Sequence, residues 1–281
     1  MSKNVIRLVI ALLFLFTMAK AKAVTIKTSC NEPCQGQTFE ITLSDFAQND
    51  KIDDVEFLDQ KTKLFLIRKP GLDRSYHALV TVPVVQKPGS YPIKYNDKVL
   101  TSVSVKSANF TVQKLTLPKS KDNFVMSPGE ENAINKAKST LTDTRYFTSP
   151  FIPPVKARVS TQFGLRRIVN GKLLDDYFHS GIDYAANLNT PIKATGPGIV
   201  ILTGHNYKLH GNTVCIDHGQ GVVSIYIHMN KILVKSGQKV KQGDIIGTVG
   251  QTGRANGPHL HFSIYVNTIA SNPKYWYKDV F

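Results

Sequence analysis

The sequence is poor in cysteine, tryptophan and acidic residues. Its 281 residues include three cysteines and one tryptophan, and 20 acidic residues stand against 35 lysines and arginines. The resulting net charge of +15 favours an anionic partner over a cationic one. An apolar fraction of 42% is ample for packed cores, so the chain is predicted to be globular, with one or two domains.

Apolar runs long enough to cross a membrane are also missing. The N-terminal run, residues 8–18, follows Lys3 and Arg7 and precedes residues 19–23 (AKAKA), which supply two small-x-small cleavage sites. It is too short for an ordinary membrane span. The cleavage sites contain no cysteine, which argues against a lipid-anchored N-terminus. Residues 1–23 are therefore predicted to be a secretory signal peptide, with an uncleaved amphitropic anchor as the alternative.

The positive net charge of the chain indicates what kind of partner an exported protein of this sequence would have. The predicted signal carries four basic residues and no acid, so fifteen minus four leaves a net charge of about +11 on the mature chain. Nucleic acid is an unexpected partner outside the cytoplasm. An anionic cell wall or membrane surface fits better, and the alternative is a basic surface without a specific partner.

The three cysteines fall into a pair and a single residue. Cys30 and Cys34 lie near the mature N-terminus and could close a small disulfide loop in an oxidising compartment. A C-x3-C metal site is less expected, because no histidine or further cysteine lies nearby. Cys215 sits in an apolar strand pattern and is predicted to be a buried free thiol.

Residues 24–115 are predicted to form an N-terminal β-rich domain. Residues 39–43, 78–82 and 99–105 have strand patterns, and turn signals occur at residues 70–71 (PG), 88–89 (PG) and 96–97 (ND). Short strands at such spacing are typical of a β-sandwich of roughly immunoglobulin-like size. Its one histidine, His77, and its acidic pair, Asp53 and Asp54, form no recognisable chemical site.

Residues 116–149 are predicted to be a helical connector. Ser127 would be the N-cap, Pro128 the first helical residue and Glu130 the partner that completes a capping box, with the helix ending near Leu141. Residues 149–154 (SPFIPP) should then be extended, because each proline disfavours the α conformation in the residue before it.

The remaining residues, 150–281, are predicted to form a compact antiparallel β-hairpin domain with almost no helix. Glycines recur between apolar strands such as residues 199–202, 222–227 and 245–249. The fold class is therefore mainly β throughout.

A histidine pair at residues 257–262 (GPHLHF) carries the strongest chemical signal. His259 and His261 are two residues apart on a predicted strand, so both side chains point to the same face. About eighty residues upstream, residues 179–183 (HSGID) offer another histidine and a carboxylate. His179, Asp183 and His261 or His259 would be a plausible three-ligand set for zinc that leaves the fourth position to water.

Four motifs in order resemble peptidase family M23, also known as the LytM or lysostaphin-type zinc peptidases. They are residues 163–167 (FGLRR), 179–183 (HSGID), 226–229 (YIHM) and 257–262 (GPHLHF). The resemblance covers about residues 150–275. It implies that one Zn²⁺ is bound by His179, Asp183 and His261, and that His228 and His259 are the catalytic histidines.

The resemblance also suggests groove residues. Arg166 and Tyr226 are candidate substrate contacts, and Arg166 could equally be a surface ion-pair partner. His210, in the loop that also holds His205, is a further candidate for substrate contact. His218 lies in a hairpin turn and is predicted to be structural.

Two rival functions deserve comparison with a peptidase. Residues 234–247 resemble the turn pattern of biotinyl and lipoyl carrier domains, but no modifiable lysine occupies a suitable hairpin tip, so this likeness is one of fold geometry. Some members of the M23 family have lost the zinc site and act as activators or scaffolds for cell-wall amidases. Retention of all five site residues argues against that alternative.

The sequence therefore predicts an exported zinc endopeptidase of the periplasm or cell envelope, of Gram-negative type. The resemblance implies that its substrate is the stem peptides of peptidoglycan, and the likeness to Gram-negative members implies that the D-alanyl to diaminopimelate crosslink is the bond cut. The N-terminal domain is expected to regulate the site, if at all, by covering the groove and not by supplying a zinc ligand, with substrate positioning or partner binding as the alternative.

Overall fold

The computed structural model describes residues 23–67, 74–116 and 125–279. The predicted signal peptide, apart from its last residue, and the turn predicted at residues 70–71 lie outside this part of the chain. Within the described ranges, no helix is both long enough and apolar enough to span a membrane.

The N-terminal region is a sandwich of two four-stranded antiparallel sheets. One sheet has the order β1-β2-β6-β5 and the other the order β4-β3-β7-β8. Their strands are β1 (Thr25–Thr28), β2 (Thr38–Ser44), β3 (Val55–Phe57), β4 (Gln60–Thr62), β5 (Phe65–Leu66), β6 (Tyr76–Thr81), β7 (Gly89–Tyr95) and β8 (Lys98–Val105).

The two-residue alternation of apolar side chains explains how most of these strands face the core of the sandwich. In β2, Phe39, Ile41 and Leu43 are fully buried and point to the shared core, as residues two apart on a strand must. Asn96 and Asp97 both have positive φ, which suits the tight turn between β7 and β8. In β6, however, all six residues are buried, because the face that should meet solvent packs against the second domain.

The connector begins with a strand that joins the second domain. Strand β9 (Val112–Leu115) pairs in parallel with β11 (Arg166–Val169), which pairs antiparallel with β12 (Lys172–Phe178). Residues 112–115, expected within the N-terminal domain, therefore pair with a strand of the second domain.

Helix α1 (Glu130–Lys138) is shorter than predicted at both ends. Gly129, with φ of 76°, occupies the N-cap position in the left-handed region that favours glycine. The prediction of Ser127 as N-cap is wrong, because its hydroxyl instead accepts a hydrogen bond from the Lys208 amide at 2.8 Å. The Glu130 carboxylate does reach back to the Ser127 amide at 2.7 Å, which is half of a capping box.

The C-terminal region is built on a ten-stranded sheet in which every described pairing is antiparallel. Its main path is β10-β13-β20-β17-β16-β15-β18, and β14, β19 and β21 join at the sides. The strands are β10 (Arg158–Thr161), β13 (Ile182–Ala185), β14 (Pro191–Lys193), β15 (Gly198–Tyr207), β16 (Gly211–Gly219), β17 (Val222–Ile232), β18 (Lys239–Val240), β19 (Ile245–Val249), β20 (His259–Val266) and β21 (Ile269–Ser271), followed by the short helix α2 (Pro273–Trp276).

The sandwich packs against the end of this sheet beside β21. Thr38 Oγ1 lies 2.7 Å from Ser271 Oγ, and the carbonyl oxygen of Gly36 accepts a hydrogen bond from the Asn272 amide at 2.8 Å. A Cβ on Gly36 would lie 2.4 Å from the ring of Phe163, so the close approach requires glycine. The two regions thus share a tightly packed interface.

Candidate active site

The predicted metal ligands meet where β13 runs beside β20. Asp183 on β13 is paired in register with His261 on β20, so both side chains leave the same face of the sheet. His179 precedes β13 and reaches the same point across Ser180 and Gly181. A Cβ on Gly181 would lie 2.3 Å from the Phe262 carbonyl oxygen, so glycine here lets the chain pass close to β20.

Three ligand atoms form a small triangle at this point. His179 Nε2 lies 3.0 Å from Asp183 Oδ1 and 2.9 Å from His261 Nδ1, and His261 Nδ1 lies 2.9 Å from Asp183 Oδ1. The three residues are also the one group of potential metal ligands found among the described residues. One ion with bonds of about 2.0–2.2 Å could reach all three atoms.

The outer nitrogens of the two histidines decide what the triangle can bind. His179 Nδ1 donates to the carbonyl oxygen of Gln162 at 2.9 Å, and because a carbonyl only accepts, Nε2 of the neutral ring keeps a lone pair. His261 Nε2 lies 2.8 Å from Ser263 Oγ, which can accept its proton and leave a lone pair on Nδ1. Two lone pairs and a carboxylate then converge, an arrangement that repels itself without a cation and fits a metal ion.

The electrostatics of the triangle agree with metal binding. Burial acts to raise the pKa of Asp183, but a proton on His179 Nε2 or His261 Nδ1 would point at its carboxylate, and these contacts outweigh burial and hold the pKa well below its ordinary value. A metal ion would take the place of such a proton. Burial lowers the pKa of His261 to about 4. At neutral pH the site therefore offers a carboxylate and a neutral imidazole, which are the forms that bind metals.

His228 stands beside the triangle in an unusual backbone conformation. It is buried within β17 with a φ of 62°, and its Nδ1 donates to the Thr252 carbonyl oxygen at 2.8 Å. Nε2 therefore keeps its lone pair. Burial, followed by the neighbouring His259 and His261, lowers the pKa of His228 to about 3, so the ring is neutral at neutral pH.

His259 completes a second histidine pair. Its Nδ1 donates to the Gly257 carbonyl oxygen at 2.8 Å, and its ring centroid lies 4.8 Å from that of His228. The ring of His228 lies 6.4 Å from that of His261. With Nδ1 directed at a carbonyl oxygen in each ring, both imidazoles can thus present Nε2 beside the triangle.

All five of these side chains line one groove of about 570 Å³. The walls carry cationic, polar and apolar side chains from several parts of the chain. These side chains include Gln113 of β9, Ile134 and Lys138 of α1, and Arg167, Ile225, Ile227 and Arg254. The connector therefore forms part of the groove.

The region that holds these histidines and Asp183 is similar to known proteins. Residues 177–273 match the model of peptidase family M23. These residues form an M23 peptidase domain. The family resemblance and the mainly β fold expected from the motifs are thereby confirmed.

Relatives of the M23 domain include two bacterial enzymes. The chain is 44% identical over 119 residues to the peptidoglycan DD-endopeptidase ShyC of Vibrio cholerae, and 39% identical over 121 residues to the DD-carboxypeptidase/endopeptidase Mpg of Neisseria meningitidis. These alignments cover 42% and 43% of this chain but 27% of each relative. The chain thus matches about a quarter of the length of these curated relatives.

A crystal structure resembles more of the chain. A peptidase M23 structure from Pseudomonas aeruginosa aligns with a TM-score of 0.62 at 28% identity, covering 88% of this chain and 95% of that one. The likeness therefore extends beyond the M23 domain to the sandwich and connector.

Among the predicted substrate contacts, Tyr226 is wrong. It is fully buried, its ring packs on Phe262 with centroids 5.1 Å apart, and its hydroxyl accepts a hydrogen bond from the Thr195 amide at 2.8 Å. Strand alternation explains its position, because Tyr226 lies between Ile225 and Ile227, which both line the groove, and so points to the opposite face of β17. His228 reaches the groove because its positive φ interrupts the alternation. Tyr226 is a core residue of the M23 domain.

The two other predicted substrate contacts, Arg166 and His210, differ in whether they line the groove. Arg166 does not line the groove: its guanidinium carbon lies 5.6 Å from the centroid of the Phe178 ring, and its buried Nε has no hydrogen-bond partner in the described ranges. Arg167, its neighbour on β11, lines the groove instead, because adjacent strand residues face opposite ways. His210 does line the groove, and its contact with substrate stays a prediction.

Other predictions on histidine and cysteine have clear outcomes. His218 is fully buried in the M23 domain, where Nδ1 donates to the Pro197 carbonyl oxygen at 2.7 Å, so its structural role is confirmed. Cys215 is a buried free thiol, as predicted, and burial raises its pKa to about 12. Cys30 and Cys34 are both free thiols, so the disulfide considered for them is not formed in this structure.

Within the predicted N-terminal domain, residues 24–115, Gln113 lines the groove, and the cover of the groove by this domain stays a prediction. The upstream side chains that line the groove come from β9 and α1, and none from the sandwich strands β1 to β8. The sandwich contacts the end of the sheet beside β21.

Sequence reasoning missed several residues of the site. Ser263 could have been found, because it lies two residues after His261 on the same face of β20. Thr252 and Glu130 carry no such local signal, since their partners lie 24 and 80 residues away.

Proposed function

We propose that the chain is an exported zinc endopeptidase that hydrolyses peptide crosslinks of peptidoglycan. The observation that carries the proposal is the convergence of three metal-ligand atoms, within 3.0 Å of one another, beside two histidines with free Nε2 lone pairs. Relatives that are named as peptidoglycan DD-endopeptidases supply the substrate class. The groove would accept a peptide strand.

In this proposal His179, Asp183 and His261 hold the zinc ion. When bound, zinc supplies Lewis-acid chemistry toward a water molecule and a peptide carbonyl. Two imidazoles and one carboxylate suit zinc by ligand type, and the three residues leave one side of the triangle open to the groove, as a catalytic site requires.

His228 and His259 move protons and stabilise charge. Each ring donates its Nδ1 proton to a backbone carbonyl, so Nε2 is the atom that accepts a proton from the attacking water. A ring that has gained this proton can donate it to the leaving amine or to the developing oxyanion. The fixed Nδ1 contacts hold both rings in the tautomer that this work needs.

The substrate is proposed to be the D-alanyl to diaminopimelate crosslink between stem peptides. Such peptides carry free carboxylates, and Lys138, Arg167 and Arg254 line the groove. The net charge of about +11 on the mature chain is compatible with approach to an anionic envelope surface.

Digestion of purified sacculi tests this proposal. The zinc-loaded mature chain should convert crosslinked muropeptide dimers into monomers, and chelator treatment or His261→Ala should abolish the conversion while the protein stays folded. Dimers that persist with zinc bound would overturn the proposal. Shortening of stem peptides without loss of dimers would instead indicate a carboxypeptidase, and a cellular role indifferent to His261→Ala would indicate an amidase scaffold.

We also propose that the protein is exported to the periplasm of a Gram-negative cell. The N-terminal basic and apolar pattern with its small-x-small sites supports this placement. Mass spectrometry of the protein from a periplasmic fraction should find a new N-terminus after Ala21 or Ala23. An intact N-terminus on membrane-bound protein would indicate the uncleaved anchor.

A further inference from the structure

Glu130, the first residue of α1, is a fully buried acidic residue in the connector. It lies outside the segment that matches the M23 family model, yet its carboxylate touches the M23 domain. One carboxylate oxygen, Oε1, accepts from the Leu209 amide at 3.1 Å, the His210 amide at 2.9 Å and His210 Nδ1 at 2.7 Å. The other, Oε2, accepts from the amides of Ser127 at 2.7 Å and Lys208 at 3.0 Å.

Five donors around one carboxylate explain how this charge can be buried. A buried carboxylate without partners is strongly unfavourable, and hydrogen bonds to its charged form offset that cost. Burial acts to raise the pKa of Glu130, but bonds from Ser127 and His210 outweigh it and lower the pKa to about 2. Four of the five donors belong to residues 208–210, in the loop between β15 and β16.

That loop is bonded in turn to the catalytic side of the groove. The His210 carbonyl oxygen accepts from the His228 amide at 2.9 Å, and the Leu209 carbonyl oxygen accepts from the Arg254 amide at 3.0 Å. Within His210, therefore, the amide is held by Glu130 and the carbonyl holds His228. His228 also has a φ of 62°, a conformation that surrounding contacts must maintain for a residue other than glycine.

We propose that Glu130 is a positioning residue that fixes the backbone position of His228 through the loop of residues 208–210. Helix α1 of the connector would then contribute to catalysis. This inference rests on the proposed peptidase function. It assigns to the connector a role in the reaction and not only in joining two domains.

Substitution of Glu130 by glutamine gives a sharp test. Glutamine has nearly the same shape, but its NH2 group would face donors at one of the two carboxylate positions, so at least two of the five bonds are lost. Glu131→Gln is the matched control, because Glu131 is exposed in the same helical turn and loses the same charge.

For Glu130→Gln we expect kcat on a soluble crosslinked muropeptide to fall ~10- to 100-fold, since small misplacements of catalytic groups have effects of that size. KM and the content of one zinc per chain should stay at their wild-type values, as should all three quantities in Glu131→Gln. Wild-type kcat in Glu130→Gln would overturn the proposal. A loss of zinc would also overturn it, because the effect would then lie in the metal triangle.

Amide hydrogen exchange supplies a readout that does not depend on activity. Glu130→Gln should speed exchange at Leu209, His210 and His228, and leave Ile216 and Ile264 in the core of the sheet unchanged. Faster exchange at Leu209 and His210 with full protection at His228 would contradict the proposed coupling. Should Glu130→Gln fail to fold, Glu130→Asp keeps the charge with a shorter reach, and the same changes are expected at smaller size.

The two proposals can fail separately. If the wild-type chain does not cleave muropeptides, the proposed function fails and the exchange result still decides whether Glu130 controls His228. If the wild-type chain cleaves and Glu130→Gln cleaves equally fast, only the positioning role fails.

Discussion

The ring centroids of His228 and His259 lie 4.8 Å apart, and each ring donates its Nδ1 proton to a backbone carbonyl oxygen. The carbonyls belong to Thr252 and Gly257, in the segment that leads into β20. One loop thus orients both histidines. This shared support explains why the two rings present the same nitrogen to the groove.

Loss of either histidine should therefore reduce turnover without loss of metal. We expect His228→Asn and His259→Ala each to lower kcat ~10²- to 10³-fold, the range typical of proton-transfer and oxyanion groups. Asparagine is chosen at His228 because it tolerates the positive φ there. Zinc content by atomic absorption should remain one per chain, and metal loss in either variant would assign that residue to the metal shell.

Ser263 should support metal binding through His261. Its Oγ lies 2.8 Å from His261 Nε2, so Ser263→Ala removes the group that orients the ring. Competition with a chelator should show zinc affinity weakened ~10- to 100-fold, as for other outer partners of metal ligands. Ser236→Ala, at an exposed position, is the control and should bind zinc as the wild type does. Unchanged zinc affinity in Ser263→Ala would mean that Asp183 and the backbone are sufficient to orient His261 without Ser263.

Tyr226→Phe should affect stability and not catalysis. The substitution leaves the buried Thr195 amide without its acceptor, which should lower the free energy of unfolding by ~1–3 kcal/mol. Denaturant unfolding measures this loss, and kcat/KM at a temperature where the variant is folded should equal the wild-type value. A tenfold fall in kcat/KM with an intact fold would return Tyr226 to the substrate groove.

Glu130 should make stability depend on acid pH. Its pKa is lowered from 4.5 to about 2 in the folded chain, so its carboxylate contributes stability above about pH 4.5 and loses it as pH falls toward 2. A shift of this size corresponds to ~3 kcal/mol. The difference in unfolding free energy between wild type and Glu130→Gln, measured with chelator present, should shrink over that range. A constant difference would mean that the carboxylate is not held in its charged form.

Local sequence patterns predicted much of the site. The period of two placed His259 and His261 on one face of β20, and the four ordered motifs led to the metal triangle and to His228. The same period would have indicated Ser263. Such patterns involve residues close together in the sequence. They remain valid in the folded chain because a strand keeps the alternation of its side chains wherever it packs.

Longer-range contacts were not predictable in this way. Alternation alone would put Tyr226 and His228 on the same face of β17, and only the positive φ of His228 turns that residue to the groove while Tyr226 stays in the core. The choice of Arg167 over Arg166 for the groove depends on how β11 pairs with β9. The strand pattern of residues 78–82 suggested one buried face, whereas contact with the second domain buries both faces of β6.

Local sequence patterns are enough to indicate the histidine and carboxylate set suited to one metal ion, and the two further histidines near it. The contacts that hold this set in place depend on the packing of distant segments. Glu130 reads locally as a helix-capping acid, and nothing within its own turn indicates that residues 208–210 will donate to it. Such contacts join side chains some eighty residues apart, and they exist only after the connector has packed against the sheet.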